Sequence, residues 1–197
     1  MSAIEIIGLA ASFSLLAGWR LYACVAIAGL AMHLDLIDAP SHIPSLEALA
    51  NPWVIGFASV GALAEFFADK VMWLDSLWDG IHTFIRPIGG ALLALAIVDA
   101  SDPAWQIIVL LLGGSAALLS HGAKSGTRAL VNTSPEPFSN IAVSTIEDVV
   151  TFGTLWLALT HPVAALIAAA ALLALCFAVV VATWRLLARV KRWMSSG

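Results

Sequence analysis

Residues 163–182 read VAALIAAAALLALCFAVVVA, an apolar run without a single charge. A helix needs roughly 20 mostly apolar residues to cross a hydrocarbon core of about 30 Å. The run therefore predicts a membrane-spanning helix, which continues into Thr183 and Trp184. Working outward, five further segments have comparable length with interruptions: about residues 3–34, 52–68, 80–98, 104–120 and 141–159. The sequence thus predicts an all-α, polytopic transmembrane bundle of about six spans, in one membrane domain covering residues 1–197.

Composition agrees. Of the 197 residues, 61% are hydrophobic and 11% charged, with a mean hydropathy of +0.96. Soluble domains run at about 45–50% apolar and about 25% charged, so a water-soluble globule, a disordered chain and a disulfide scaffold are excluded. A net charge of -4 leaves no basic surplus for nucleic acid. Cys24 and Cys176 sit in apolar runs, without disulfide or metal-ligand spacing. The first residues carry no positive charge ahead of their apolar run, so no cleavable signal is expected.

Lysine and arginine set orientation. Loops at about 35–51, 99–103 and 160–162 contain neither, holding instead Asp35, Asp38, Glu47, Asp99, Asp102 and His161. The alternate loops hold Lys70, Lys124 and Arg128, and the basic tail, residues 185–197, adds Arg185, Arg189, Lys191 and Arg192. This pattern predicts that both termini are cytoplasmic.

The order Gly-x-Arg, Glu, x-Pro occurs twice: Gly18-Trp19-Arg20, Glu65 and Arg86-Pro87, then Gly126-Thr127-Arg128, Glu147 and His161-Pro162. Three spans per copy would invert the second against the first. The expected arrangement is an inverted repeat of two three-helix halves, residues 3–98 and 104–188, as in many transporter folds. The first segment would be about 48 Å long as one helix. Gly18 at its middle leaves two readings, a broken or re-entrant helix and a tilted continuous one.

Charges inside spans cost ~2.5–3.5 kcal/mol each on insertion scales and normally face protein or water. At helical spacing, Asn140, Ser144, Glu147, Asp148, Thr151 and Thr154 share a face, as do Glu65 and Asp69, and Asp75, Asp79, His82 and Arg86. These stripes are expected to converge on one polar interior. Guanidinium suits carboxylate or phosphate because its fork binds both oxygens, and a carboxylate in a membrane can carry a proton. Residues 120–140 read SHGAKSGTRALVNTSPEPFSN, a polar cytoplasmic loop broken by Pro135 and Pro137.

Residues 65–91 (EFFADKVMWLDSLWDGIHTFIRPIGGA) and 123–148 (AKSGTRALVNTSPEPFSNIAVSTIED) resemble a family of bacterial integral membrane proteins catalogued as a domain of unknown function. The likeness runs from about residue 16 to 161. It implies a polytopic helical fold in the bacterial inner membrane, and it supplies no activity. It marks Asp69, Lys70, Asp75, Asp79, His82, Arg86, Arg128, Asn132, Ser134 and Glu147 as motif positions.

The function these features favour is a small transporter or channel for a small polar, anionic solute, coupled to protons or cations. Arg20, His82, Arg86, Arg128, Asn132 and Ser134 are the candidate substrate-binding residues, and Glu65, Asp69, Glu147 and Asp148 the candidate coupling residues. Asp75 and Asp79 fall short of a metal-ligand set, so neither metal nor cofactor is predicted. With no HExxH, nucleophile elbow or Walker sequence, an enzyme is not expected. The expected partners are membrane lipids, the solute and further copies of the chain, since small-residue faces favour association. Two alternatives stand beside this one: a translocase or binding protein for a phosphorylated lipid, and a non-transporting subunit whose ion pairs are structural.

Overall fold

A computed structural model describes residues 2–36, 47–98, 100–132 and 138–195. Asp38, Asp99, Ser134, Pro135 and Pro137 lie outside the described residues. Among those described, the regular structure is entirely helical: α1 (Ala3–His33), α2 (Pro52–Ala68), α3 (Met72–Val98), α4 (Pro103–Val131), α5 (Phe138–Thr160) and α6 (Pro162–Ser195), with a 3-10 turn at Ala48–Ala50. Local chemistry fixes several starts. The Ser2 hydroxyl accepts from the Glu5 amide while the Glu5 carboxylate accepts from the Ser2 amide, a capping box. Asn51 and Asp102 cap α2 and α4, each followed by a proline in the first turn, where a missing N–H costs nothing.

Five helices are long and apolar enough to cross a membrane; α2, with 17 residues, is the shorter exception. Phe57, Phe84, Leu112, Trp156, Ile167 and Phe177 face outward, while the most deeply buried side chains include Arg86, Arg128 and Lys124. A chain with hydrocarbon for solvent sorts its residues this way, because polar groups find partners only inside.

The first helix organises the bundle, packing against each of the other five. It does so by turning back. Arg20 has φ −142° and ψ 66°, outside the helical region. Before this break, Gly8 abuts the start of α6: a Cβ there would lie 2.2 Å from the Pro162 carbonyl oxygen. Ser12 Oγ also reaches the Ala165 carbonyl, at 3.4 Å. After the break, Gly29 abuts the Leu49 carbonyl and Ile55, where α2 starts.

The starts of α2 and α6 belong to one end of the bundle. The opposite end holds the junction of α2 with α3 and the start of α5, tied together by the Asn140 amide donating to the Asp69 carbonyl at 3.0 Å. Ser14 Oγ donates to the Gly90 carbonyl while Leu21 packs on neighbouring Gly89, so residues on either side of the break meet α3 at one level. Thus α1 is a re-entrant hairpin with arms 3–19 and 21–33 and its tip at Arg20. Of the two readings open for the first segment, the broken one holds.

Carbonyls of the arm leading to the break are tied to α4: Ser120 Oγ donates to Leu15 O at 2.6 Å and Lys124 Nζ to Trp19 O at 3.4 Å. Irregular backbone at membrane depth survives only where protein supplies such partners. Gly18 makes the approach feasible, since a Cβ there would fall 1.9 Å from Ser120 Oγ.

Three expectations change. The chain begins at the end of the bundle where α6 begins, and finishes at the other end with α6. Placing both termini on one side does not fit this geometry. Second, α4 runs on to Val131, so Lys124 and Arg128 are helical and buried rather than loop charges. Third, α4 is continuous through Gly126 and Arg128 where α1 bends at Gly18 and Arg20, so the first helices of the two proposed halves differ. At the end where α1 enters and leaves, the interior is apolar, built from Leu9, Phe13, Leu16, Leu93, Ile97 and Leu155.

Candidate functional site

The other half of the interior is ionic. Two turns apart on α3, Asp79 and Arg86 face inward with Asp75 and His82, the i, i+4, i+7, i+11 spacing of one helical face. Between the ends of α2 and α3, Asp69 is the hub. Its Oδ2 accepts from Arg20 Nη1 at the hairpin tip, from Lys124 Nζ at 2.6 Å and from Arg128 Nη2 at 3.5 Å. Arg128 also pairs with Glu147 at 2.6 Å and donates to Asn140 Oδ1. Arg20 reaches α5 as well, at Asp148 (2.8 Å) and Ser144 Oγ (3.2 Å). Lys70 completes the outer edge, 3.5 Å from Asp148 and 3.3 Å above the Phe66 ring.

Deeper in, Arg86 bridges Glu65 at 2.6 Å and Asp79 at 2.9 Å. Its Nη1 also donates to His121 Nδ1 at 2.7 Å. Guanidinium has no acceptor, so that imidazole nitrogen carries no proton and His121 is neutral. His82 stacks on Trp78 with ring centroids 4.3 Å apart, donates from Nδ1 to the Trp78 carbonyl, and meets Tyr22 through Nε2 at 3.2 Å. Asn132 caps α4 and donates to Asp75 Oδ2 at 2.9 Å.

Of the described candidate residues, Arg20, Glu65, Asp69, Arg86, Arg128, Asn132, Glu147 and Asp148 therefore meet in one network, while His82 is held beside it by Trp78 and Tyr22. From Asp75 to Arg86 along α3 it is about 16 Å deep at 1.5 Å per residue. The stripes do converge on a common interior, and they close it with direct ion pairs. The Glu65, Asp69, Asp75, Arg86 and Lys124 side chains are 0% exposed.

Sequence reasoning missed Lys124, counted as a loop charge. Its signal was available, since His121, Lys124 and Arg128 recur at helical spacing on the buried face of α4. The sequence places Asp75 and Asp79 on the polar stripe and offers them as weak metal candidates, with no binding or coupling role. Asp69, Asp75 and Asp79 do each bring an oxygen within 4.8 Å of the others. The Lys124 ammonium, 2.6 Å from Asp69 and 3.7 Å from Asp79, already stands among them as their cation.

Beside the cluster lies a crevice of about 240 Å³ between α1, α4, α5 and α6. Lys124 and Glu147 contribute its polar part, and Trp19, Val143, Ile146 and Leu175 apolar walls.

Fold and site define a polytopic α-helical membrane protein with an internal ion network. A family model described as a domain of unknown function, DUF4126, matches residues 7–182, and the chain belongs to that family. Both quoted sequence stretches fall within the match. No curated protein matches the chain, and no solved structure matches it.

Proposed function

We propose that this protein is a small membrane carrier for a small anionic solute, coupled to proton movement. The observation that supports it is the gathering of cations and carboxylates from α1 to α5 around the tip of a re-entrant helix. Stability alone is a poor reason for such a cluster. Replacing buried ion pairs by packed apolar residues is often neutral or stabilising by about 1–4 kcal/mol, and ionisable groups at membrane depth commonly mark pathways. Broken helices near the midplane are where transporters build their sites.

In this reading the guanidinium groups of Arg20, Arg86 and Arg128 exchange an internal carboxylate for that of a solute, or for a phosphate. Protonating the internal partner lowers its hold, which links solute to proton. Asn132, Ser134 and His82 supply neutral contacts. The basic tail lies in the cytoplasm of a bacterial cell, following the positive-inside pattern, and the start of the chain lies across the inner membrane from it.

The test is reconstitution in liposomes, with internal pH followed while a panel of phosphate, sulfate and short carboxylates is added outside. Anion-dependent proton movement is expected, and Glu147→Gln should abolish it. Absence of movement with every anion from folded protein overturns the carrier, and unchanged movement in Glu147→Gln removes that residue from coupling. If the ion pairs are only structural, exchanging Glu65 and Arg86 for one another preserves every behaviour.

The crevice favours a second reading. Its apolar walls and polar floor suit an acyl chain whose phosphorylated head approaches Lys124. That reading expects response to lipid headgroup in the bilayer and none to soluble anions.

A further inference from the structure

The cluster holds six carboxylates (Glu65, Asp69, Asp75, Asp79, Glu147, Asp148) and five cations (Arg20, Lys70, Arg86, Lys124, Arg128). Five of the carboxylates have a cation within 3 Å: Glu65 and Asp79 through Arg86, Asp69 through Arg20 and Lys124, Glu147 through Arg128, Asp148 through Arg20. Asp75 is the exception. Its recorded ion pair is Arg128 Nη1 at 4.0 Å, and that nitrogen is engaged by Asn140 Oδ1 and the Asp69 carbonyl. Asp75 is fully buried, and while its Oδ2 accepts from Asn132, its Oδ1 meets no donor.

We infer that Asp75 is the proton-binding residue of the cluster and that the proton sits on Oδ1. A carboxylate oxygen stripped of water and given no donor is costly, and a proton turns it from a starved acceptor into a donor. Acceptors stand ready. Asp69 Oδ1 is also buried without a donor, and Asp69, Asp75 and Asp79 each bring one oxygen within 4.8 Å of the others. Three carboxylates so close repel, and one shared proton relieves that repulsion.

Among the described residues, the groups facing Asp75 come from three elements. They are Asp69 where α2 ends, Asp79 on α3 itself, and Arg128 and Asn132 on α4; Lys124 acts through Asp69 and Asp79, and Glu147 of α5 through Arg128. Protonating Glu65, Asp69, Glu147 or Asp148 instead would take a close charge partner from an arginine or lysine. In the resting protein the proton therefore sits on Asp75, at the bundle end where α3 begins and α4 finishes, and those four stay ionised until a solute takes their cations. The inference rests on the carrier reading for the use of the proton, and not for its binding.

Infrared difference spectroscopy on the full chain in lipid, with pH stepped across neutrality, tests it. A carboxylic C=O band should appear on acidification, move when aspartate is carbon-13 labelled, stay when glutamate is labelled, and vanish in Asp75→Asn. Asparagine copies the neutral carboxyl in shape, so the variant should fold. Should it not, the two labelling arms and Asp148→Asn, which must keep the band, still decide. A band that survives Asp75→Asn, moves with glutamate labelling, or is missing from the native protein overturns the assignment. Anion-driven proton flux failing while the band obeys this pattern overturns the carrier alone.

Discussion

Glu65 of α2 and Arg86 of α3 face each other at 2.6 Å with neither side chain exposed at all. No solvent screens this pair, so its two members cannot be judged separately. Removing one partner of a buried pair typically costs about 3–5 kcal/mol, whereas replacing both by apolar groups is often neutral. Glu65→Ala should therefore lower unfolding stability in detergent by about that much. Glu65→Leu combined with Arg86→Met should recover most of the loss. Equal losses in single and double variants would show that packing, not charge, holds this site.

The hairpin depends on close approach at Gly18, where a Cβ would sit 1.9 Å from Ser120 Oγ and 2.2 Å from the Ala117 carbonyl. Gly18→Val should push α1 off α4 and depress the melting temperature strongly. Gly56→Ala, with nothing within 4 Å, should leave melting unchanged or slightly raised, since alanine favours the helix. Similar melting of the two variants would contradict the contact.

A re-entrant α1 puts Ser2 and the end of α6 at opposite ends of the bundle. Single cysteines at Ser2 and Ser195 should react with an impermeant maleimide from opposite sides of oriented vesicles. The native Cys24 and Cys176 are buried and should stay silent. Labelling of both positions from one side would mean that α1 crosses.

Two lysines calibrate the cluster. Lys124 is buried against Asp69 and Asp79, while the Lys70 side chain is 24% exposed beside Asp148. Lys124→Met should destabilise severely by leaving carboxylates without their cation. Lys70→Met should change unfolding by about 1 kcal/mol or less, as partly exposed pairs do. The comparison is read by thermal unfolding at matched lipid content.

Fold class was legible because hydrocarbon imposes a length and a polarity that residues 163–182 satisfy alone. The polar faces were legible too, since Asn140, Ser144 and Glu147 recur with the period of a helix. What escaped was tertiary. Helical spacing with His121 and Arg128 can put Lys124 on a helix, but only the carboxylates of Asp69 and Asp79, brought from elsewhere in the chain, make it an interior residue. The turn at Arg20 likewise depends on Ser120 and Lys124 donating to the carbonyls of Leu15 and Trp19. The sequence could mark Gly18 as a weak point and not choose between bending and tilting.

The hairpin has a consequence for biogenesis. Its tip is made early, yet every group that stabilises Arg20 is synthesised later: Asp69 with the second helix, Ser144 and Asp148 with the fifth. Until those arrive, the leading segment carries a naked guanidinium and an interrupted backbone that lipid cannot satisfy. Of these six helices, α1 is thus made before the others and is the last able to take its native seat.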